Sequence, residues 1–133
     1  MFESISWIGV GAATVASMAL GFLWFGPLFL KPWMRELGKT QEQMNGGAGL
    51  AIAIQVVASI ITAIVLAIII ERFGPGILTG LTVGLLCAAG LVATTRLADV
   101  VFAQTSSSTR YWIEAGHSIV SYSLMGAVYG FFA

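Results

Sequence analysis

The sequence predicts an all-α integral membrane bundle of four transmembrane helices, with both termini on the non-cytoplasmic side. Hydrophobic residues make up 58% of the 133-residue chain and charged residues only 9%, against about a quarter charged in an average soluble domain. The mean hydropathy is +0.93. The few charges are also clustered, which leaves long apolar runs without any. A soluble protein of this size could not cover its surface with so few charges, whereas a bilayer demands none. The length fits a single transmembrane domain, residues 1–133.

The first charge-free run goes from Ser4 to Leu30, longer than the roughly 20 residues that cross a bilayer. The span is expected over residues 5–27. Ala16-Ser17-Met18-Ala19 offers small residues such as signal peptidases cut. The only charge before it is acidic (Glu3), however, and the apolar run continues well past signal length, so a retained helix is expected. Gly26-Pro27 and then Lys31-Pro32-Trp33 follow. Proline removes a backbone donor and disfavours helix in the residue before it, so the helix should kink or stop near Gly26. Trp24, Phe25 and Trp33 read as interfacial anchors.

Lys31 to Asn45 is the most polar stretch. Thr40 and Gln43 have capping-box spacing, which starts the second helix near Gln41, outside the membrane. Gly46, Gly47 and Gly49 weaken it before the apolar run Leu50 to Ile70, and the span is expected over 48–70. Glu71-Arg72-Phe73-Gly74-Pro75-Gly76 is a compact turn, implying an antiparallel hairpin with a third span over 76–96. Arg96 and Asp99 lie three apart on one helix face and are expected to pair. Gln104 to Arg110 reads as a polar loop, and the fourth span as 111–132.

Four spans put the links after the first and third helices on one side. Those links carry Lys31, Arg35, Lys39, Arg96 and Arg110, against Arg72 opposite. The positive-inside rule then places both termini outside the cytoplasm. The formal net charge is zero, which gives no footprint for nucleic acid. One cysteine, Cys87, excludes a disulfide framework and a cysteine-rich metal site; it reads as a packed thiol. Phosphate-binding glycine loops, Gly-x-Ser-x-Gly and His-Glu-x-x-His are absent from the sequence. No cofactor, no metal and no enzymatic activity are expected.

Two segments carry a family resemblance. One is Gly21-Phe22-Leu23-Trp24-Phe25-Gly26-Pro27-Leu28-Phe29 with Lys31, Trp33, Met34, Gly38 and Thr40. The other is Phe102, Ala115-Gly116-His117 and Leu124-Met125-Gly126. Together they resemble the bacterial four-helix membrane family catalogued as domain of unknown function 1761. The resemblance runs nearly end to end, and its most specific part is the motif formed by Trp24, Gly26, Pro27, Lys31 and Trp33. It implies a multi-pass protein of the bacterial cytoplasmic (inner) membrane and brings no activity with it. Position 114 departs from the family pattern, holding Glu where a neutral polar residue such as Asn is expected.

Glu114 and His117 are the sharpest functional candidates. They share a face of the last helix with Ser118 and Ser121. An ionisable residue inside a membrane is costly and so points to function; histidine beside a carboxylate can hold or relay a proton. Glu-x-x-His is also half of a di-iron carboxylate site, but a single histidine would need symmetry-related copies. The structural alternative is that Glu114 reaches interfacial water and His117 is a hydrogen-bonded packing residue. On the second helix Gln55, Ser59 and Thr62 form a polar stripe, able either to line a wet path or to hydrogen-bond between helices.

Small residues recur every four positions: Ala13, Ser17 and Gly21 on the first helix; Gly80, Gly84 and Ala88 on the third; Gly126 and Gly130 on the fourth. Such faces let helices approach closely in lipid, and their number predicts a homo-oligomer. Two functions remain open. One is a small transporter or channel for a solute or proton, its path between the second and fourth helices. The other is a non-catalytic packing component acting through copies of itself or a protein partner.

Overall fold

The structure, a computed structural model, describes residues 2–103 and 107–133. Six helices carry the fold: α1 (Trp7–Leu28), α2 (Leu30–Leu37), α3 (Gln41–Asn45), α4 (Ala48–Phe73), α5 (Ile77–Ala103) and α6 (Ser108–Phe132). No strand occurs among the described residues. α1, α4 and α5 are each long and apolar enough to cross a bilayer. α6 is a fourth long helix and the one that carries a glutamate, a histidine and several serines.

Local chemistry explains the boundaries. Ser6 caps α1, its Oγ accepting from the Gly9 N–H at 3.1 Å. Around Gly26, where a kink or stop is expected, α1 leaves the regular α-helix. Over Trp24–Leu28 it widens to a π-turn, in which the Phe29 N–H donates to the Trp24 carbonyl at 2.9 Å. The wide turn absorbs Pro27, which has no N–H to give. α1 ends at Leu28, and α2 begins at Leu30 with Phe29 between them in a non-helical conformation. The Thr40–Gln43 capping box forms, with the Thr40 N–H donating to Gln43 Oε1 at 2.8 Å. It caps the separate short helix α3, not the long α4, which restarts beyond Gly47. Of the polar link expected over Gln104 to Arg110, Gln104, Thr105 and Ser106 lie outside the described residues. Ser107 caps α6 by accepting from the Arg110 N–H at 3.1 Å.

α6 is the axis on which the bundle is built. It packs most extensively on α5, then on α1, and less on α4. The α5–α6 crossing is a backbone-to-backbone contact. A Cβ at Gly80 would overlap the Gly126 carbonyl, one at Gly126 the Gly80 carbonyl, one at Gly84 the Tyr122 carbonyl, and one at Gly130 the Gly76 carbonyl. The Gly76 N–H, held at φ 128° in the α4–α5 turn, donates to the Gly130 carbonyl at 3.1 Å. On α1, Ala13 and Ser17 are buried and Gly21 lies against His117. The small-residue faces from which a homo-oligomer was expected are thus occupied within one chain. Self-association would have to use other surfaces.

The two ends of the bundle differ. At the end holding the termini, Tyr129 is fully buried. Its hydroxyl donates to Glu71 Oε1 at 2.6 Å and accepts from the Ser6 N–H at 3.0 Å. This ties the start of α1, the end of α4 and the end of α6 together. Ile5, Val10, Leu66, Ala67, Ile70 and Met125 fill the space around it. At the other end, the first half of α4 is exposed on nearly all sides from Ala51 to Gln55, and the bundle opens.

In detergent, Gly80→Ala and Gly126→Ala are expected to lose about 1–3 kcal/mol of unfolding free energy, the range for overpacking. Gly11→Ala, where a Cβ meets nothing within 4 Å, should be neutral or stabilising. Unfolding by SDS titration followed by circular dichroism measures the difference. Equal losses at all three positions would remove the α5–α6 crossing from its central role.

Candidate functional site

The open end holds a cleft of about 650 Å³ between α1, α4, α5 and α6. Its floor is one face of α6, where Glu114, His117, Ser118 and Ser121 recur at helical spacing. Gln55, Ser59 and Thr62 line it from α4, and Ser17 and Gly21 from α1. All seven residues of the two expected polar stripes therefore meet at one cavity. Apolar side chains, among them Phe22, Ile52, Ala58 and Val92, form the rest of the wall.

Glu114 organises the mouth. Arg110 Nε donates to its Oε1 at 2.6 Å and Arg96 Nη1 to its Oε2 at 3.3 Å. Trp33 Nε1 adds a long contact to Oε1 at 3.4 Å. Arg96 thus reaches across from α5 to α6. The expected local pair with Asp99 does not form, and Asp99 is exposed near the end of α5. Nor does Glu114 bond to His117; its carboxylate is committed to the arginines. The pair is not a preformed proton relay. Among the described residues, no three His, Cys, Asp or Glu side chains gather as metal ligands would.

His117 sits among aromatic rings, 4.9 Å from Phe25 and 6.1 Å from Trp24 between centroids. Its Nε2 is buried with no hydrogen-bond partner among the described residues, so the hydrogen bond expected of a packing histidine is not made at that atom. Such an unsatisfied atom costs about 1–3 kcal/mol. Deeper in, Ser17 and Ser121 share a hydrogen bond of 3.1 Å between α1 and α6. Ser59 donates to the Met18 thioether at 3.6 Å and accepts weakly from Gln55 at 3.5 Å. Met125 closes the floor, and beyond it the bundle is filled by Leu66, Ile70 and Tyr129. The cleft is blind.

The aromatic residues near Pro27 turn inward rather than anchoring outward. Trp24 donates its indole N–H to the Ile113 carbonyl at 3.0 Å and lies against Gly116, while Phe25 and Trp33 line the cleft. Of the motif, Lys31 is exposed. The exposed tryptophans are Trp7 and Trp112. Arg96, expected to pair with Asp99, and Arg110, expected only to set topology, both belong to the site. Arg110 was findable, because it precedes Glu114 by four residues, a helical pairing distance.

SDS titration also tests the mouth. Glu114→Gln is expected to lower unfolding free energy by about 1.5–3 kcal/mol, the range for hydrogen bonds to a charged group. Asp99→Asn should change it by less than about 0.5 kcal/mol. Combined with Arg96→Gln, the first should be clearly non-additive and the second additive. Coupling of Arg96 to Asp99 instead would overturn this arrangement.

Compared with known proteins, the chain matches no curated protein and no solved structure. A family model described as "Protein of unknown function (DUF1761)" matches residues 8–130, a range that takes in every residue of the cleft. The chain therefore belongs to the DUF1761 family.

Proposed function

We propose that the protein is a four-span carrier of the cytoplasmic membrane, and that the cleft is its solute-binding site in a state open at one end. The supporting observation is the convergence of polar side chains from α1, α4 and α6 on one blind cavity. α6 serves as the fourth crossing. Its 25 residues, at about 1.5 Å each, exceed the roughly 30 Å of hydrocarbon. Its polar groups face the other helices, which is how ionisable residues are tolerated within a bilayer. Lys31, Arg35 and Lys39 flank the open end and Arg96 and Arg110 line it, against Arg72 at the closed end. The positive-inside rule then directs the mouth to the cytoplasm and the termini outward. A pore open at both ends is disfavoured by the packing around Met125 and Tyr129. Alternation of the open side fits a polar site near mid-depth with one end shut.

Accessibility to a membrane-impermeant methanethiosulfonate tests this in a Cys87→Ala background. Thr62→Cys, at a partly exposed position lining the cleft from α4, should label rapidly from the cytoplasmic side, at least tenfold faster than the lipid-facing control Leu86→Cys. From the opposite side it should label slowly, and about tenfold faster once Tyr129→Phe removes the bond to Glu71. Labelling from one side only in every variant would overturn the carrier reading. No labelling from either side would overturn the wet cleft itself.

A further inference from the structure

We infer that the cleft takes a monoanion bearing an apolar tail, its charged group bound at Arg96 in competition with Glu114. This rests on the cleft being a binding site. Three charged side chains line it, and two are arginines against one carboxylate, which leaves one positive charge in excess. Glu114 divides itself unequally between them. It holds Arg110 at 2.6 Å and Arg96 only at 3.3 Å, beyond the roughly 2.7–2.9 Å of a good charge-assisted bond. The Arg96 Nε–H is also buried without an acceptor among the described residues, while 42% of the Arg96 side chain remains accessible. A guanidinium so weakly satisfied beside a low-dielectric wall favours an added anion and repels an added cation.

The rest of the cavity fixes the tail. Phe22, Ile52, Ala58, Val92 and Met125 line the same cavity as the arginines. Its volume of about 650 Å³ lies within the roughly 300–1,000 Å³ typical of small-molecule sites. Serines on the floor offer a few hydrogen bonds without charge. A guanidinium at the mouth and an apolar interior match a carboxylate, sulfonate or phosphate diester on a short hydrocarbon. Such a group arrives either from water or as the headgroup of an anionic lipid entering beside the exposed first half of α4.

Protection of Thr62→Cys from thiol labelling separates these cases, with the full chain in phosphatidylcholine nanodiscs. Butanesulfonate, which is anionic at all working pH values, should slow labelling at least fivefold; butylammonium should not. Arg96→Gln should abolish the protection, Arg35→Gln at the same end should preserve it, and Glu114→Gln should strengthen it several-fold. If nanodiscs containing phosphatidylglycerol protect and butanesulfonate does not, the anion comes from the membrane. If butanesulfonate protects, it comes from water. Equal protection by butylammonium, persistence in Arg96→Gln, or no protection by either anion overturns the assignment while leaving the cleft intact. Absence of any labelling removes the cleft and the assignment together.

Discussion

The close approach of α5 and α6 is the constraint on which the rest of the molecule depends. In lipid no hydrophobic force pulls apolar helices together, so association relies on packing and on interhelical hydrogen bonds. Gly80 and Gly84 on one side and Gly126 and Gly130 on the other remove the side chains at the points of closest approach. The two backbones then meet directly, and the Gly76 N–H adds a hydrogen bond where α5 begins. This contact fixes which face of α6 is turned away from α5. Gly126 lies about a third of a turn around α6 from Glu114. With the glycine face held on α5, the face carrying Glu114, His117, Ser118 and Ser121 is presented to α1 and α4. The polar cleft follows from the glycine crossing.

The same logic explains why polar groups are tolerable where they are. Each is turned toward another helix, and the outward faces of α1, α4 and α5 keep large apolar side chains such as Ile8, Ile54 and Leu86. Some polar groups are satisfied locally or across helices, as with Ser17 and Ser121. Others are not, and these gather at the cleft: the His117 Nε2 and the Arg96 Nε are buried without partners among the described residues. Buried polar groups in a stable membrane bundle are ordinarily paired. Both lie at the cleft and neither at the closed end.

Much of this was legible in the sequence, and what was not has identifiable physical causes. The apolar runs marked the long helices, and helical spacing grouped Glu114 with His117, Ser118 and Ser121, and Gln55 with Ser59 and Thr62. That the two stripes meet could only come from the fold. Arg96 was assigned to Asp99 because a straight helix puts them on one face. α5 is not straight in register: over Ala88–Val92 it widens to a π-turn, which takes up about one extra residue per turn. That shift brings Arg96 from about a third of a turn away into line with Gly84, and so onto α6. No periodicity of a regular helix contains this information. The glycine spacing marks close-packing faces, but a single sequence does not reveal that α5 and α6 turn them on each other.

The asymmetry between the two ends gives the molecule its direction. At the closed end the Tyr129 hydroxyl joins Ser6 and Glu71, and Gly9 leaves room for its ring, since a Cβ there would come within 2.9 Å of it. The side chains around it form one continuous apolar core. At the open end the helices are linked mainly by polar contacts: Glu114 with two arginines, Trp24 with the Ile113 carbonyl, and Ser107 with Glu36 at 2.7 Å. Polar contacts of this kind can be exchanged for contacts with water or a bound ion at modest net cost, whereas opening a packed core leaves a void with nothing to fill it. Rearrangement is therefore easiest around Glu114. An anion that took Arg96 from Glu114 would loosen the link between α5 and α6 at the one end where those helices are not locked by glycine contact.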